Sequence, residues 1–298
     1  MTHALPRYLE SKRSVDERAL SRYVRDRLLD ALPAEPRILE AGCGTGVTVP
    51  RLLSWGLDSG RYRGVDSDEC IVAFARRVRP AALQRAGYGI VTGPSPVSSV
   101  SERDEMTAAA DFTVSDLAVS FETGDALDAL DSASDLDLVI AQAFADLVPL
   151  PRLVSAVESA LSPGGLAYFP ITFDGGTIFQ PDHPADDAVE RAYHAAIDER
   201  SGRDVRAGRH LADLLRRRDG DLLAIESSDW IVRPVDAVYP ADERYFLSRI
   251  LRFVEETISD SDQTVPALDV WLDARRDQLA AGELLYVAHQ YDLLYRAP

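Results

Sequence analysis

The stretch of this sequence best suited to hold a ligand is a run of glycines after an apolar segment. The residues from Glu40 to Gly46 are Glu-Ala-Gly-Cys-Gly-Thr-Gly, and they follow Ile38 and Leu39. Glycine lets the backbone approach a ligand where a Cβ would block it, and nucleotide-binding folds place such a turn between strand and helix. Glu40, at the strand end, can accept hydrogen bonds or complement a positive ligand group. We therefore predict a ligand-binding strand, turn and helix over residues 37–53.

Two aspartates follow the next predicted strands. Asp66 ends the strand of residues 62–65, and Asp125 follows the strand of residues 117–121. A carboxylate at the end of the second strand of a doubly wound sheet binds ribose hydroxyls, because it can accept a hydrogen bond from each. Asp125 is either a helix cap or a ligand-binding residue.

A strongly apolar fourth strand over residues 136–141 is followed by Gln142, Phe144 and Asp146. Ligands of open α/β sheets lie beyond the carboxyl ends of the strands. We therefore expect these three side chains near the reacting groups.

These elements occur in an order that resembles the class I S-adenosylmethionine-dependent methyltransferases. The shared features are the pattern E-x-G-x-G-x-G, the two aspartates, and a Leu-Ser-Pro-Gly-Gly-Leu run before a fifth strand over 166–172. The dinucleotide fingerprint G-x-G-x-x-G fits less well, since its third glycine would fall on Val47. The resemblance implies S-adenosyl-L-methionine as cofactor, with Asp125 near the adenine amino group. It implies these cofactor-binding residues: Glu40, Gly42, Cys43, Gly44, Gly46, Asp66, Ser67, Gly124, Asp125, Ala126, Ala141 and Gln142.

The fold that follows is α/β and Rossmann-like, with a doubly wound, mostly parallel, seven-stranded sheet and helical cap insertions. We predict an N-terminal capping segment and helix over 1–35, a cofactor-binding core over 36–172, and a C-terminal part over 173–298. That last part contributes strands over 222–230 and 286–291, and its helices form a cap on the substrate side. Residues 86–116 show no sustained period and are predicted to be a loop insertion, either a lid or a tolerated insertion.

The N-terminal helix is predicted to begin at Ser14, because Ser14 and Glu17 have the spacing of a capping box, and to end before Pro33. Its charged residues, Asp16 among them, are interpreted as a solvated face.

Candidate catalytic residues lie in or near the predicted cap. A base is needed when the nucleophile is a protonated oxygen or nitrogen, and Asp174, His183 and His194 are the candidates. Asp174 belongs to a predicted turn over 173–177. The substrate-side residues are predicted to be Phe144, Asp146, Phe173 and Tyr286, and the aromatic residues Phe144, Phe173, Phe179 and Tyr193 favour an acceptor with an apolar body.

The composition limits the classes of ligand and partner expected for this protein. The 298 residues carry a net charge of −17, and Lys12 is the sole lysine. This balance is typical either of a halophilic protein or of an acidic protein from a GC-rich genome. The negative field disfavours nucleic acid as a substrate. Two cysteines and no metal-ligand spacing predict neither a zinc site nor a disulfide framework. Without a signal segment or a long apolar run, we expect a cytoplasmic protein without a membrane span.

The sequence thus predicts a methyltransferase that acts on a small-molecule acceptor. Two alternatives stay open at this point. One is a nicotinamide-dependent oxidoreductase that tolerates Val47 at the third glycine position. The other is a non-catalytic protein that binds the cofactor or its demethylated product as a sensor or scaffold.

Overall fold

The computed structural model describes residues 5–92 and 110–298. Within these residues, ten strands form one sheet in the order β3-β4-β5-β2-β1-β6-β7-β10-β8, and β9 pairs with β10. The strands are β1 Arg37–Ala41, β2 Ser59–Asp66, β3 Ile90–Thr92, β4 Phe112–Val114, β5 Asp116–Thr123, β6 Leu136–Ile140, β7 Leu161–Gln180, β8 Asp221–Ser227, β9 Trp230–Val232 and β10 Leu285–Arg296.

The centre of the sheet is parallel. β1 lies between β2 and β6, and Ile38 is in register with Tyr62 on one side and Leu138 on the other. β5 and β7 extend this parallel region outward. Its strands are apolar on both faces because helices cover both sides of a parallel sheet.

The predicted doubly wound sheet is confirmed, and three further strands lengthen it. β10 runs antiparallel between β7 and β8. The single strand predicted over 222–230 is two strands, β8 and β9, which both pair with β10. β3 and β4 fall within the predicted insertion 86–116 and pair antiparallel with each other. Its residues 93–109 lie outside the described part of the chain.

The turn predicted over residues 173–177 is wrong. β7 continues through these residues to Gln180 and pairs with β10 from Leu166 onward, with a bulge between Phe173 and Gly176. Gly176 is in register with His289, and a Cβ on Gly176 would lie 2.8 Å from the His289 Cβ. Gly176 therefore serves close strand packing and Gly175 takes a φ of +74° in the bulge, where sequence reasoning interpreted both as a chain reversal.

The helices of the described residues are α1 Pro6–Ser11, α2 Arg13–Ala19, α3 Arg22–Ala31, α4 Thr48–Ser54, α5 Glu69–Arg85, α6 Ala126–Asp131, α7 Leu150–Ala160, α8 Asp186–Asp198, α9 Ala207–Leu215, α10 Ala241–Ser259 and α11 Leu268–Ala281, with a 3-10 helix over Ala145–Leu147.

The single N-terminal helix predicted from Ser14 is two helices, α2 and α3, with α1 before them, and the predicted capping box is not formed. Ser14 lies inside α2, and its hydroxyl donates to Glu243 Oε1 at 3.0 Å. The capping serine is Ser21, whose Oγ accepts from the Val24 amide at the start of α3.

Helices cover both faces of the sheet and add a third packed region. Buried side chains of α3, α4 and α5 pack on one face, and those of α6, α7 and α9 pack on the other. A separate apolar cluster joins α1, α2, α8, α10 and α11 to β9 and the far ends of β7 and β10. We call this third region the cap. No helix among the described residues is long and apolar enough to cross a membrane.

Candidate functional site

A cavity of about 510 Å³ opens where the carboxyl ends of β1, β2 and β6 meet the cap. Its floor includes Gly42, Gly44 and Asp66, and its walls come from α1, α8 and α10. This volume is in the range of sites for small ligands.

The glycine turn predicted from the sequence is confirmed as a tight turn. Gly42 and Gly44 have φ values of +70° and +53°, a region that glycine tolerates best. The amides of Gly42 and Cys43 both donate to the Val65 carbonyl, at 2.9 and 3.0 Å. A Cβ on Gly42 would lie 2.5 Å from Phe144 Cδ2, so glycine is required for packing as well as for conformation.

Gly46 differs from the other two glycines of the turn. It does not contribute to the cavity lining, and a Cβ there would lie 2.5 Å from the Phe121 ring. The structure therefore gives Gly46 a role in packing the turn against β5, where we had predicted cofactor contact.

Asp66 holds the turn and faces the cavity. Its Oδ2 accepts from the Gly44 amide at 2.9 Å, and its Oδ1 accepts from the Asp68 amide at 3.0 Å. Ser67 lines the cavity beside it. The carboxylate is thus oriented by backbone donors, and remaining lone pairs are available to a ligand.

Glu40 lies at the base of the cavity and is almost fully buried. Its carboxylate accepts from the Thr48 hydroxyl at 2.7 Å and from the Tyr62 hydroxyl. Burial raises the pKa of Glu40 to about 7, although both hydrogen bonds act to lower it. Near neutral pH this carboxyl can change its charge in response to a positive ligand group.

The helix-cap role of Asp125 is observed, and its ligand-binding role stays a prediction. Asp125 caps α6, accepting from the amides of Leu127 and Asp128 at 2.8 and 3.1 Å, and it lines the cavity together with Ala126. Two other residues that we predict to bind the cofactor do not line the cavity. Gly124 and Ala141 are outside the lining, and Ala141 is buried in the sheet core.

A buried polar network connects the core to the N-terminal helices. Gln142 Oε1 accepts from Arg51, and its Nε2 donates to Asp16 Oδ2 at 3.0 Å. The indole of Trp230 donates to the other oxygen of Asp16 at 2.9 Å. The Lys12 ammonium lies 3.3 Å from Asp16. Asp16, predicted to face solvent, is fully buried instead, because partners far along the chain enclose it.

Asp146 faces the cavity from the 3-10 helix after β6. Burial raises its pKa to about 6, and the positive charges of Arg203 and Lys12 limit the rise. Arg200 and Arg203, from the segment between α8 and α9, line the same side of the cavity. Asp146 was predicted on the substrate side, whereas sequence reasoning missed both arginines.

The aromatic wall of the cavity comes mostly from the cap. Phe173, Tyr193 and Tyr286 line the cavity as expected, together with Phe144. Phe179 does not line it and packs between Trp271 and Tyr286, at centroid distances of 5.2 and 5.0 Å. Lining residues that we did not predict are Tyr8, Trp230 and Phe253.

The structure does not bring Asp174, His183 and His194 into the cavity lining. Asp174 is buried against Arg209, whose guanidinium donates to both carboxylate oxygens at 2.7 to 3.0 Å. This arrangement gives Asp174 a structural role.

The two histidines are also held by nearby protein groups. His183 Nδ1 accepts from the Ala185 amide at 3.1 Å in the loop before α8. His194 Nε2 lies 2.9 Å from the Thr177 hydroxyl, and burial lowers the pKa of His194. Thr177 itself lines the cavity, so His194 contacts a lining residue without lining the cavity itself. Among the described residues, no cluster of His, Cys, Asp or Glu has the arrangement of a metal site.

Comparison with known proteins gives likeness at the level of structure. No protein-family model matches the chain, and no curated protein has a similar sequence. A protein from Anaeromyxobacter dehalogenans, assigned as a type II methyltransferase, has a TM-score of 0.50 and 16% identity, over 93% of this chain and 95% of that chain. A protein from Bacillus halodurans, assigned as a methyltransferase, has a TM-score of 0.49 and 14% identity, over 92% and 98% of the chains.

At these identities the likeness concerns the fold. The chain therefore shares a Rossmann-like α/β fold with the Anaeromyxobacter dehalogenans protein.

Proposed function

We propose that this protein transfers a methyl group from S-adenosylmethionine to a small-molecule acceptor. The observation that carries the proposal is a single cavity shared by two kinds of wall. One side presents the glycine turn, Asp66 and Asp125, and the other presents the aromatic side chains of the cap. A donor and an acceptor bound there would meet within one enclosed space, which is what group transfer requires.

The residues on the first side suit the cofactor. Thr45 Oγ1 and Gln290 Oε1 are buried, belong to lining residues, and have no hydrogen-bond partner among the described residues. Buried polar atoms are normally paired, so each of these oxygens is available to a bound group. Asp66 would accept from ribose hydroxyls, and Asp125 from an adenine amino group.

Glu40 completes this side, because its carboxyl would complement the positive charge of the donor. The bound cofactor supplies a methyl group already activated by a positive sulfur, so the protein's main tasks are alignment and exclusion of water. Tyr8, Phe253 and Tyr286 contribute apolar surface around the cavity, and it is this surface that excludes water.

Asp146 is the base that we assign to an acceptor with an O–H or N–H nucleophile. It faces the cavity, and its pKa of about 6 leaves it mostly ionised at neutral pH while keeping it a stronger base than a solvated aspartate. A protein that only sensed the cofactor would have no use for such a group. We therefore favour the enzyme over the sensor or scaffold.

The acceptor, on this proposal, has an apolar or aromatic body that fits the cap wall. Nucleic acid stays outside the proposal, because a net charge of −17 repels phosphate chains. A cytoplasmic location is also part of it, supported by two cysteines that are both free. Halophilic origin, one source of such acidity, would show as a salt requirement.

Calorimetric titration tests the donor first. Purified protein is titrated with S-adenosylmethionine, S-adenosylhomocysteine and NADH, in low and in molar salt. We expect the first two to bind and NADH not to bind. Binding of NADH alone would assign the glycine turn to a dinucleotide, and binding of none of the three in either salt would refute the proposal.

Transfer itself is tested with methyl-labelled donor and a panel of hydroxylated and aminated aromatic compounds. Label in an acceptor extract establishes the enzyme. Tight binding without transfer to any acceptor would favour the sensor or scaffold.

A further inference from the structure

We propose that the acceptor carries a carboxylate and that Arg200 and Arg203 bind it. This inference rests on the proposed function and adds the chemical class of the acceptor. It comes from the part of the cavity wall next to Tyr193, where two guanidinium groups form no ion pair with any described residue.

Both arginines line the cavity and are only partly exposed. Neither side chain forms an ion pair or a hydrogen bond with any residue in the described part of the chain, whereas other arginines of the C-terminal part do. Arg209 is held by Asp174, and Arg275 by Asp186. Acidic residues outnumber basic ones by 49 to 32, so two cavity-facing arginines whose side chains form no ion pair within the described residues need another explanation.

The nearby carboxylates do not neutralise this pair. Asp204 lines the cavity, but its Oδ1 accepts from the Arg206 amide at 2.9 Å and its Oδ2 lies 2.6 Å from His210 Nδ1. Asp146, on the same side of the cavity, raises the pKa of Arg203 through its negative charge but forms no ion pair with it. Lys12, the other cation of the lining, is already compensated by Asp16.

Desolvation adds to the argument. Burial lowers the pKa of Arg203; the negative charge of Asp146 opposes part of this shift, and the like charge of Arg200 adds to it. A guanidinium that is partly desolvated beside a second one is stabilised most by an anion placed between them. The planar fork of donors in arginine fits a carboxylate in a bidentate manner.

The spacing along α8 and the turn after it tells which part of the acceptor lies where. Tyr193, Ile197 and Arg200 all line the cavity and follow one another at helical spacing, and Arg203 comes next. The wall therefore changes from apolar to cationic in one direction. An acceptor that matches it has an apolar body with a carboxylate at one end. A monoanion suits the site better than a dianionic phosphate, because Asp146 and Asp204 are close by.

The test uses full-length protein saturated with S-adenosylhomocysteine, and compares aromatic acids with their uncharged amides. The probes are benzoate, phenylacetate, para-hydroxyphenylacetate and indoleacetate, each with its amide and with benzyl phosphate as a phosphate reference. We expect at least one acid to bind the wild type more tightly than its amide. Arg200→Gln and Arg203→Gln should each weaken the binding of that acid by roughly 10- to 100-fold and leave the amide unchanged.

The matched control is Arg191→Gln, an exposed arginine of α8 that does not line the cavity, and it should bind like the wild type. Acids and amides that bind alike would overturn the inference, as would preference for benzyl phosphate over every acid. Loss of S-adenosylhomocysteine binding in the two variants would also overturn it, since the pair would then serve the cofactor. If the wild type itself does not bind S-adenosylhomocysteine, the proposed function fails as well, so the two failures are distinguishable.

Discussion

Replacing Asp146 by Asn removes a candidate base while keeping the shape of the side chain. The pKa of Asp146 is raised by burial to about 6, so the wild-type side chain is mostly ionised at neutral pH. General-base catalysis contributes roughly 10²- to 10⁴-fold, and we expect kcat/KM to fall by that factor in the variant. Affinity for S-adenosylhomocysteine should stay unchanged, because the predicted cofactor contacts do not include Asp146.

The same substitution should stabilise the protein. Because its pKa rises on folding, Asp146 binds a proton more tightly in the folded state, and its ionised form costs stability at pH above about 6. The change from 3.8 to about 6 corresponds to at most about 3 kcal/mol. Since the side chain faces a cavity that water can enter, we expect a gain of about 1–2 kcal/mol at neutral pH. The gain should vanish as the pH falls below the unfolded value near 3.8.

Two assays on the same protein samples separate these effects. Initial rates with labelled donor, measured across about pH 5–9, should rise with pH to a plateau above about 6 in the wild type and lack this limb in the variant. Urea unfolding gives the free energy of unfolding. Asp187→Asn, an exposed position on α8, is the control and should change neither. An Asp146→Asn enzyme with wild-type rates and the same acidic limb would refute the assignment of the base, and a less stable variant would refute the argument from burial.

Three other substitutions test parts of the site. Gly44→Ala should weaken S-adenosylhomocysteine binding, because its Cβ would lie 3.3 Å from the N-terminal helix at a φ of +53°; Gly56→Ala has a φ of +87° with open space around it and should cost only stability. Asp174→Asn should lower the free energy of unfolding by roughly 1–2 kcal/mol in urea titrations, with kcat of the folded fraction unchanged, because it weakens the pairing of a buried carboxylate with the half-exposed Arg209. Burial raises the pKa of Glu40 from 4.5 to about 7, so this carboxyl contributes stability that is lost as the pH rises between those values. Glu40→Gln should therefore flatten the dependence of the free energy of unfolding on pH, measured in urea titrations. The exposed Glu69→Gln should not change it.

The core of the fold was predictable because its signals are local. The apolar segment before Glu40, the glycines and the aspartate of the next strand are each recognisable within a few residues. Their order along the chain determines the strand order, since right-handed crossovers leave few arrangements. The turn expected at Gly175 and Gly176 failed for the opposite reason. Glycine favours turns in general, but here it makes room for His289, a partner more than a hundred residues away.

The N-terminal segment also shows that local sequence patterns do not report contacts with distant residues. The spacing of Ser14 and Glu17 satisfies a local rule for a helix start, yet Ser14 donates to Glu243 instead. Asp16 has the pattern of a solvated charge, and its burial depends on Gln142 and Trp230, which join it only in the folded chain. Periodicity cannot report such contacts, because none of them lies within the window that periodicity samples.

The two parts of the site also differ in whether local sequence patterns predict them. The floor of the cavity follows from motifs, whereas its substrate side depends on helices whose only sequence signature is an apolar face. Lys12 illustrates how the two halves join. The single lysine of the chain is nearly buried, lies over the Trp230 ring at 5.4 Å and pairs with Asp16, which in turn holds Gln142 at the end of β6. Through this network the cap is anchored to the strand end beside the floor. A change of acceptor would therefore act on the cap residues, while the glycine turn and its carboxylates would keep the same donor.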